Sequence, residues 1–124
     1  MTLTPLLLDE DCPTALAAAL GKALPGVDVI RLPDWHRGAF LGQPDPVILA
    51  QLAMEGRALV SFDVNTLPRW WKERFEAGEP CPPVILIDHR TFRRDQPGAV
   101  ARALVSLLSR EPRPDGPRFL TRGG

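Results

Sequence analysis

The sequence predicts an α/β domain with a mainly parallel central sheet covered on both faces, and three observations carry that expectation. Short apolar runs alternate with helix-forming segments, Pro and Gly punctuate the joints, and acidic residues stand directly after the strand-like runs. A strand buried on both faces is apolar at every position, and Pro5-Leu6-Leu7-Leu8, Ala58-Leu59-Val60-Ser61-Phe62 and Val84-Ile85-Leu86-Ile87 nearly meet that description. With 124 residues and an apolar fraction of 44%, the chain can fill one core but not two.

The elements follow in order. After the first strand, Ala15 to Leu24 is rich in Ala and Leu, tolerates Pro13 near its first turn and is stopped by Pro25-Gly26, so it reads as a helix. Val27 to Leu32 is a short β-branched strand, and Pro33 to Pro44 a long loop broken by Gly38 and Gly42. Asp45 followed by Pro46 reads as an N-cap with proline at the first helical position, leading into Val47 to Met54 and ending at Gly56. Arg57 to Phe62 is the third strand, Asn65 to Ala77 the third helix and Val84 to Ile87 the fourth strand. Val100, Ala103, Leu104, Leu107 and Leu108 form one stripe of a last helix from Gln96 to Arg110. Residues 1–110 are thus expected to form the domain, and residues 111–124, rich in Pro, Arg and Gly without a core pattern, a flexible tail.

Fifteen basic and fifteen acidic residues cancel, which argues against a broad basic face for nucleic acid. Cys12 and Cys81 lack metal or redox spacing and read as free thiols. No segment has the pattern of a signal peptide or a membrane span, so a cytoplasmic location without membrane association is expected.

The acids carry the chemistry. Asp9 ends the first strand and Asp63 the third, and these strands are neighbours in a common doubly wound order, roughly 4.8 Å apart. Their carboxylates can reach one cation, and Asp45, opening the helix between them, can join. Hard cations such as Mg2+ or Mn2+ take oxygen ligands of this kind, and a cation so held activates water for attack on a phosphodiester. The plainer readings are that Asp45 only caps a helix and that Asp9 and Asp63 only bond turn amides. Glu10 and Asp88 are auxiliary candidates and Asp11 is second-tier beside Glu10; the plainer reading of Glu10 and Asp11 is a solvent-facing side chain or favourable charge at the first helix. Arg90, Arg93 and Arg94 are candidate phosphate contacts; His36 and His89 have no partner at a telling spacing. In the Trp70-Trp71 pair, one ring is expected in the core and the other partly exposed, because adjacent helical residues diverge by about 100°.

At these residues the chain resembles small bacterial PIN-like domains, relatives of VapC-type toxin nucleases. Leu6-Leu7-Leu8-Asp9-Glu10-Asp11 is similar to the family's L-L-D-E-N opening, and Gly42-Gln43-Pro44-Asp45 to its S-D-x-x-[IVL] segment. Glu55 to Asp63 is similar to its E-x-R-[IVL]-L-[IVL]-T-x-D block. The resemblance spans roughly Leu6 to Ile87 and implies a three-layer α/β/α fold and a Mg2+- or Mn2+-dependent ribonuclease. It places Asp9, Asp45 and Asp63 at the catalytic and metal positions, with Asn65 as a further metal ligand where the family often has a second acid. The partners so implied are an RNA substrate and a protein antitoxin; a homodimer is carried as the candidate assembly. The rival expectation is a PIN-like binding module in which Asn65 has abolished turnover. A receiver-like phosphoacceptor lacks its late lysine here, and a haloacid-dehalogenase-like phosphatase lacks the Thr or Val expected where Cys12-Pro13 stand.

Overall fold

Apolar runs and helices alternate along the chain as β1 (Leu6–Leu8), α1 (Ala15–Ala23), β2 (Val29–Arg31), α2 (Asp45–Glu55), β3 (Ala58–Ser61), α3 (Leu67–Glu76), β4 (Val84–Leu86), α4 (Pro97–Arg110) and β5 (Pro117–Phe119). The computed structural model describes residues 3–122. The five strands lie in the order β2-β1-β3-β4-β5, and every neighbouring pair is parallel. The sheet is therefore wholly parallel rather than mainly so. Leu8 pairs with Val60 across β1 and β3, and Ser61 with Leu86 across β3 and β4.

Alternation along each strand builds two cores. Leu6 and Leu8 of β1, with Ala58 and Val60 of β3, pack against Leu16 and Leu20 of α1 and Val100, Leu104 and Leu108 of α4. Leu7, Leu59 and Leu86 point the opposite way, onto Ile48, Leu49 and Leu52 of α2 and Leu67 of α3. The result is a three-layer α/β/α architecture with the sheet buried on both faces, as its uninterrupted apolar strands require. None of the described helices is long and apolar enough to cross a membrane.

Four expectations need correcting. Pro44, extended at φ −61 and ψ 149, takes the N-cap position of α2, so Asp45 is the first helical residue and its side chain caps nothing. The long loop after β2 is not featureless. A 3-10 turn spans Trp35–Gly38, with His36 and Arg37 both at positive φ. His36 is not alone either: Glu55, at the end of α2, bonds His36 Nε2 at 2.6 Å and accepts from Trp35 Nε1 at 3.1 Å. That anchorage holds two non-glycine residues in a region that ordinarily costs each on the order of 1–3 kcal/mol. Neither member of the tryptophan pair is fully buried; Trp71 Nε1 donates to the Pro82 carbonyl at 2.7 Å, which keeps that ring at the margin of the core.

The fourth correction concerns the C-terminal segment. Residues 117–119 form the parallel edge strand β5 on β4, the Leu120 amide donates to the Leu86 carbonyl at 2.8 Å, and Leu120 is 3% exposed. Backbone pairing and one buried leucine dock a stretch whose Pro and Gly content hides a strand; residues 123 and 124 lie outside the described residues. Replacing Leu120 with Ala is expected to cost about 2–5 kcal/mol in urea unfolding. Phe119→Ala, at a site 56% exposed, should cost about 1 kcal/mol or less. Equal effects of the two changes would contradict this docking.

Candidate functional site

Strand order places a crevice between β1 and β3, because the connection from β1 leads to β2 on one side while β3 and β4 lie on the other. In open parallel sheets such a reversal point, at the carboxyl ends of the strands, is where ligands bind. Asp9 follows β1 there, with its backbone amide donating to the Val60 carbonyl at 2.9 Å. Ser61, fully buried at the end of β3, stands one step beyond the Leu8–Val60 pair and so directly across from Asp9. Both side chains follow the alternation of Leu7 and Leu59, toward the α2 and α3 side of the sheet.

One hydroxyl organises the crevice. Ser61 Oγ lies 2.9 Å from Asp9 Oδ2 and 3.3 Å from Asp11 Oδ2, and it accepts the Asp63 amide at 3.0 Å. A serine carries a single hydrogen, so two carboxylates share one donor. Asp9 Oδ1 is bonded by the Glu10 amide at 2.9 Å, and Asp11 Oδ1 by the Phe62 amide at 3.2 Å. Asp63 Oδ1 accepts the amides of Asn65 at 3.2 Å and Thr66 at 2.8 Å, tying the acid to the entry of α3.

Burial and then neighbouring charge raise two of the acids. Burial pushes the Asp45 carboxyl above its ordinary range, and the negative charges of Asp9, Asp63 and Glu10 push it further. Burial and then Asp9 raise Asp11, against the Phe62 amide, the Arg94 charge and the Ser61 hydroxyl. Cys12, whose thiol donates to the Val60 carbonyl at 3.4 Å, is held protonated by burial and by the Asp11 and Asp9 charges. Asp45 itself accepts no hydrogen bond from the described residues, so neither capping nor pairing accounts for its position.

The structure thus brings Asp9, Asp45, Asp63 and Glu10 within electrostatic reach of one another. Among the described residues, no three His, Cys, Asp or Glu side chains are gathered as tightly as a metal ion would draw them. Asn65 is exposed, and only its backbone amide joins the Asp63 turn. Asp88 is not brought into the cluster: Arg90 grips both its oxygens, Nη2 to Oδ2 at 2.7 Å and Nε to Oδ1 at 3.1 Å, and holds the carboxyl down to about 2. Arg90, a candidate phosphate contact, is thereby already paired, and so is Arg93, which closes on Asp95 at 3.0 Å. Arg94 lies over the Phe62 ring, 5.4 Å from its centroid, with its charge felt by Asp11.

Of two further residues of the crevice, Ser61 escapes a reading by sequence and Asp11 ranks there only as a second-tier candidate. Ser61 looks like the polar end of an apolar strand, yet a buried serine two residues before Asp63 is the signal that could have marked it. Asp11 is two residues beyond Asp9 and folds back on β3 rather than facing solvent. No protein-family model, curated protein or solved structure matches the chain.

The raised Asp45 carboxyl has a definite pH consequence in buffer containing a chelator. Its proton is held more tightly in the folded chain than at the ordinary value of 3.8, so ionisation penalises the native state. The penalty is absent below that ordinary value, grows as pH climbs toward the folded value, and is complete above it. Asp45→Asn is therefore expected to match the parent in melting temperature at low pH and to exceed it at neutral pH. A difference that stays constant across the titration would contradict the raised carboxyl.

Proposed function

We propose that the chain is a PIN-like, divalent-metal-dependent ribonuclease that hydrolyses RNA phosphodiester bonds, and that it is the toxin of a toxin–antitoxin pair. The observation that carries this reading is Asp45: a half-buried acid at the opening of a helix, without a hydrogen bond from the described residues, its carboxyl raised by partial burial and then by the charges of Asp9, Asp63 and Glu10. Like charges at ~4 Å repel by about 4 kcal/mol at an effective dielectric near 20, a cost that a bound dication reverses.

The donor set fits Mg2+ or Mn2+. Asp9, Asp45 and Asp63 offer only carboxylate oxygens, the ligands that hard cations take. They are the residues that would hold such an ion. When bound, it would polarise a phosphodiester oxygen and lower the pKa of an attacking water. The rest falls to the protein. Ser61 fixes the rotamer of Asp9 by direct hydrogen bonding, and the amides of Asn65 and Thr66 fix that of Asp63. Arg94, stacked on Phe62 beside the acids, offers a positive charge to an approaching phosphate. A cytoplasmic setting accords with the free thiols of Cys12 and Cys81. A protein antitoxin and a homodimer belong to the same proposal.

A second reading, a PIN-like binding module without turnover, is favoured by one specific feature. Both oxygens of Asp9 and one of Asp63 are already hydrogen-bonded within the chain, and Asn65 supplies no second charge. Single-turnover cleavage of mixed RNAs in Mn2+ separates the two. For the nuclease, Asp9→Asn and Asp63→Asn should each slow cleavage about 100-fold or more, equivalent to roughly 2.7 kcal/mol of barrier. The same substitutions should abolish the rise in melting temperature that Mn2+ gives the parent protein. Metal stabilisation without cleavage would select the module; neither effect would end both readings.

A further inference from the structure

We propose that the small cavity between α4 and the end of β5 is a phosphate-binding pocket, separate from the acidic crevice. It has a volume of about 190 Å³ and is lined by Phe92, Ala99, Arg102, Ala103, Ser106 and Arg122. Ala99, Arg102, Ala103 and Ser106 fall three and four residues apart, and so share one face of α4. The two alanines leave a trough; Arg102 and Ser106, both exposed, stand along it with a guanidinium and a hydroxyl. Arg122 arrives from beyond β5 and lies over the Phe92 ring, 5.4 Å from its centroid. Phe92 is only 2% exposed, so the ring that positions Arg122 is itself fixed by the core.

Charge distinguishes this cavity from an ordinary surface dent. Arg90, Arg93 and Arg118 each close on a carboxylate. Among the described residues, neither Arg102 nor Arg122 has an ion-pair partner, and no acid lines the cavity. Two cations and a hydroxyl donor therefore line one space to which the described residues contribute no acid. Guanidinium groups present paired N–H donors that match phosphate oxygens. The cavity lies below the roughly 300–1,000 Å³ of pockets that enclose drug-sized ligands, which suits a single tetrahedral group rather than a whole nucleoside.

That group has two chemical sources, a free phosphate or a phosphodiester of a polynucleotide strand. Phe92 follows β4 and Arg122 follows β5, so these two lining residues lie beyond the carboxyl ends of the strands, as Asp9 and Asp63 do. A strand crossing the rim could present a phosphate to it.

The full chain is titrated at low ionic strength with EDTA present, so that no divalent ion bridges the acids to the probe. Inorganic phosphate is one probe, and a short single-stranded RNA without terminal phosphate is the other. Arg102→Gln, Arg122→Gln and Ser106→Glu are each expected to weaken binding of at least one probe tenfold or more. Phosphate alone binding identifies the free anion; RNA binding identifies the esterified one. Ser106→Glu places a carboxylate in the lining of the pocket at an exposed position, so it tests the pocket without a large demand on folding. The pocket is refuted if neither probe binds the parent protein up to about 10 mM, or if binding is unchanged in all three folded variants.

Discussion

A one-residue slip of β1 against β3 would turn Asp9 away from the α2 side of the sheet, because side-chain direction alternates at every step. The apolar pattern alone does little to forbid it. Leu6, Leu7 and Leu8 are identical and all buried, so either register presents leucine to both cores. Polar contacts at the two ends specify the register instead. Arg57, just before β3, donates from Nη1 to the Leu6 carbonyl at 2.9 Å and grips Asp28 through both terminal nitrogens at 3.0 Å. At the opposite end, Ser61 reaches Asp9. The crevice and the strand alignment thus depend on each other.

This arrangement spends stability. A neutral hydrogen bond returns about 0.5–1.5 kcal/mol net and one to a charged group about 1.5–3. Close carboxylates at an effective dielectric near 20 repel by about 4 kcal/mol. Ser61 has one proton to divide between Asp9 and Asp11, so the hydroxyl cannot neutralise both. Burial first, and this imbalance second, raise the carboxyls of Asp11 and Asp45. An imbalance of this kind at a strand-order reversal is where a fold gives up local consistency for chemistry.

The layers were legible in the sequence because parallel strands buried on both faces must be apolar throughout, and β1, β3 and β4 are nearly so. The neighbouring of Asp9 and Asp63 strands followed from the same pattern. What stayed hidden depends on contacts between distant residues. Pro44 displaces Asp45 from the cap because a proline with extended ψ ends the loop one residue early. β5 is three residues long, begins with proline and is an edge strand, so neither propensity nor periodicity reveals it; its evidence is the ladder with β4. His36 gains its partner only once the loop folds back to Glu55. Burial raises the Glu55 carboxyl, but bonds from Gln51, His36 and Trp35 outweigh it and keep the group low.

The arginines show most plainly why composition is a poor guide to charge at a surface. Net charge is zero, yet the cancellation is local rather than uniform. Beyond β4, Arg90 and Arg93 are neutralised by acids two residues away, a short-range pairing that needs no tertiary structure. Arg94, one residue further, turns onto Phe62 and faces the acids of the crevice; Arg122 turns onto Phe92. In both, an aromatic ring rather than a carboxylate is the contact partner, so the side chain is held without a bidentate ion pair, while the Arg94 charge still acts on Asp11. A guanidinium stacked in this way remains available to an oxyanion, whereas one chelated by aspartate must first break a bidentate contact.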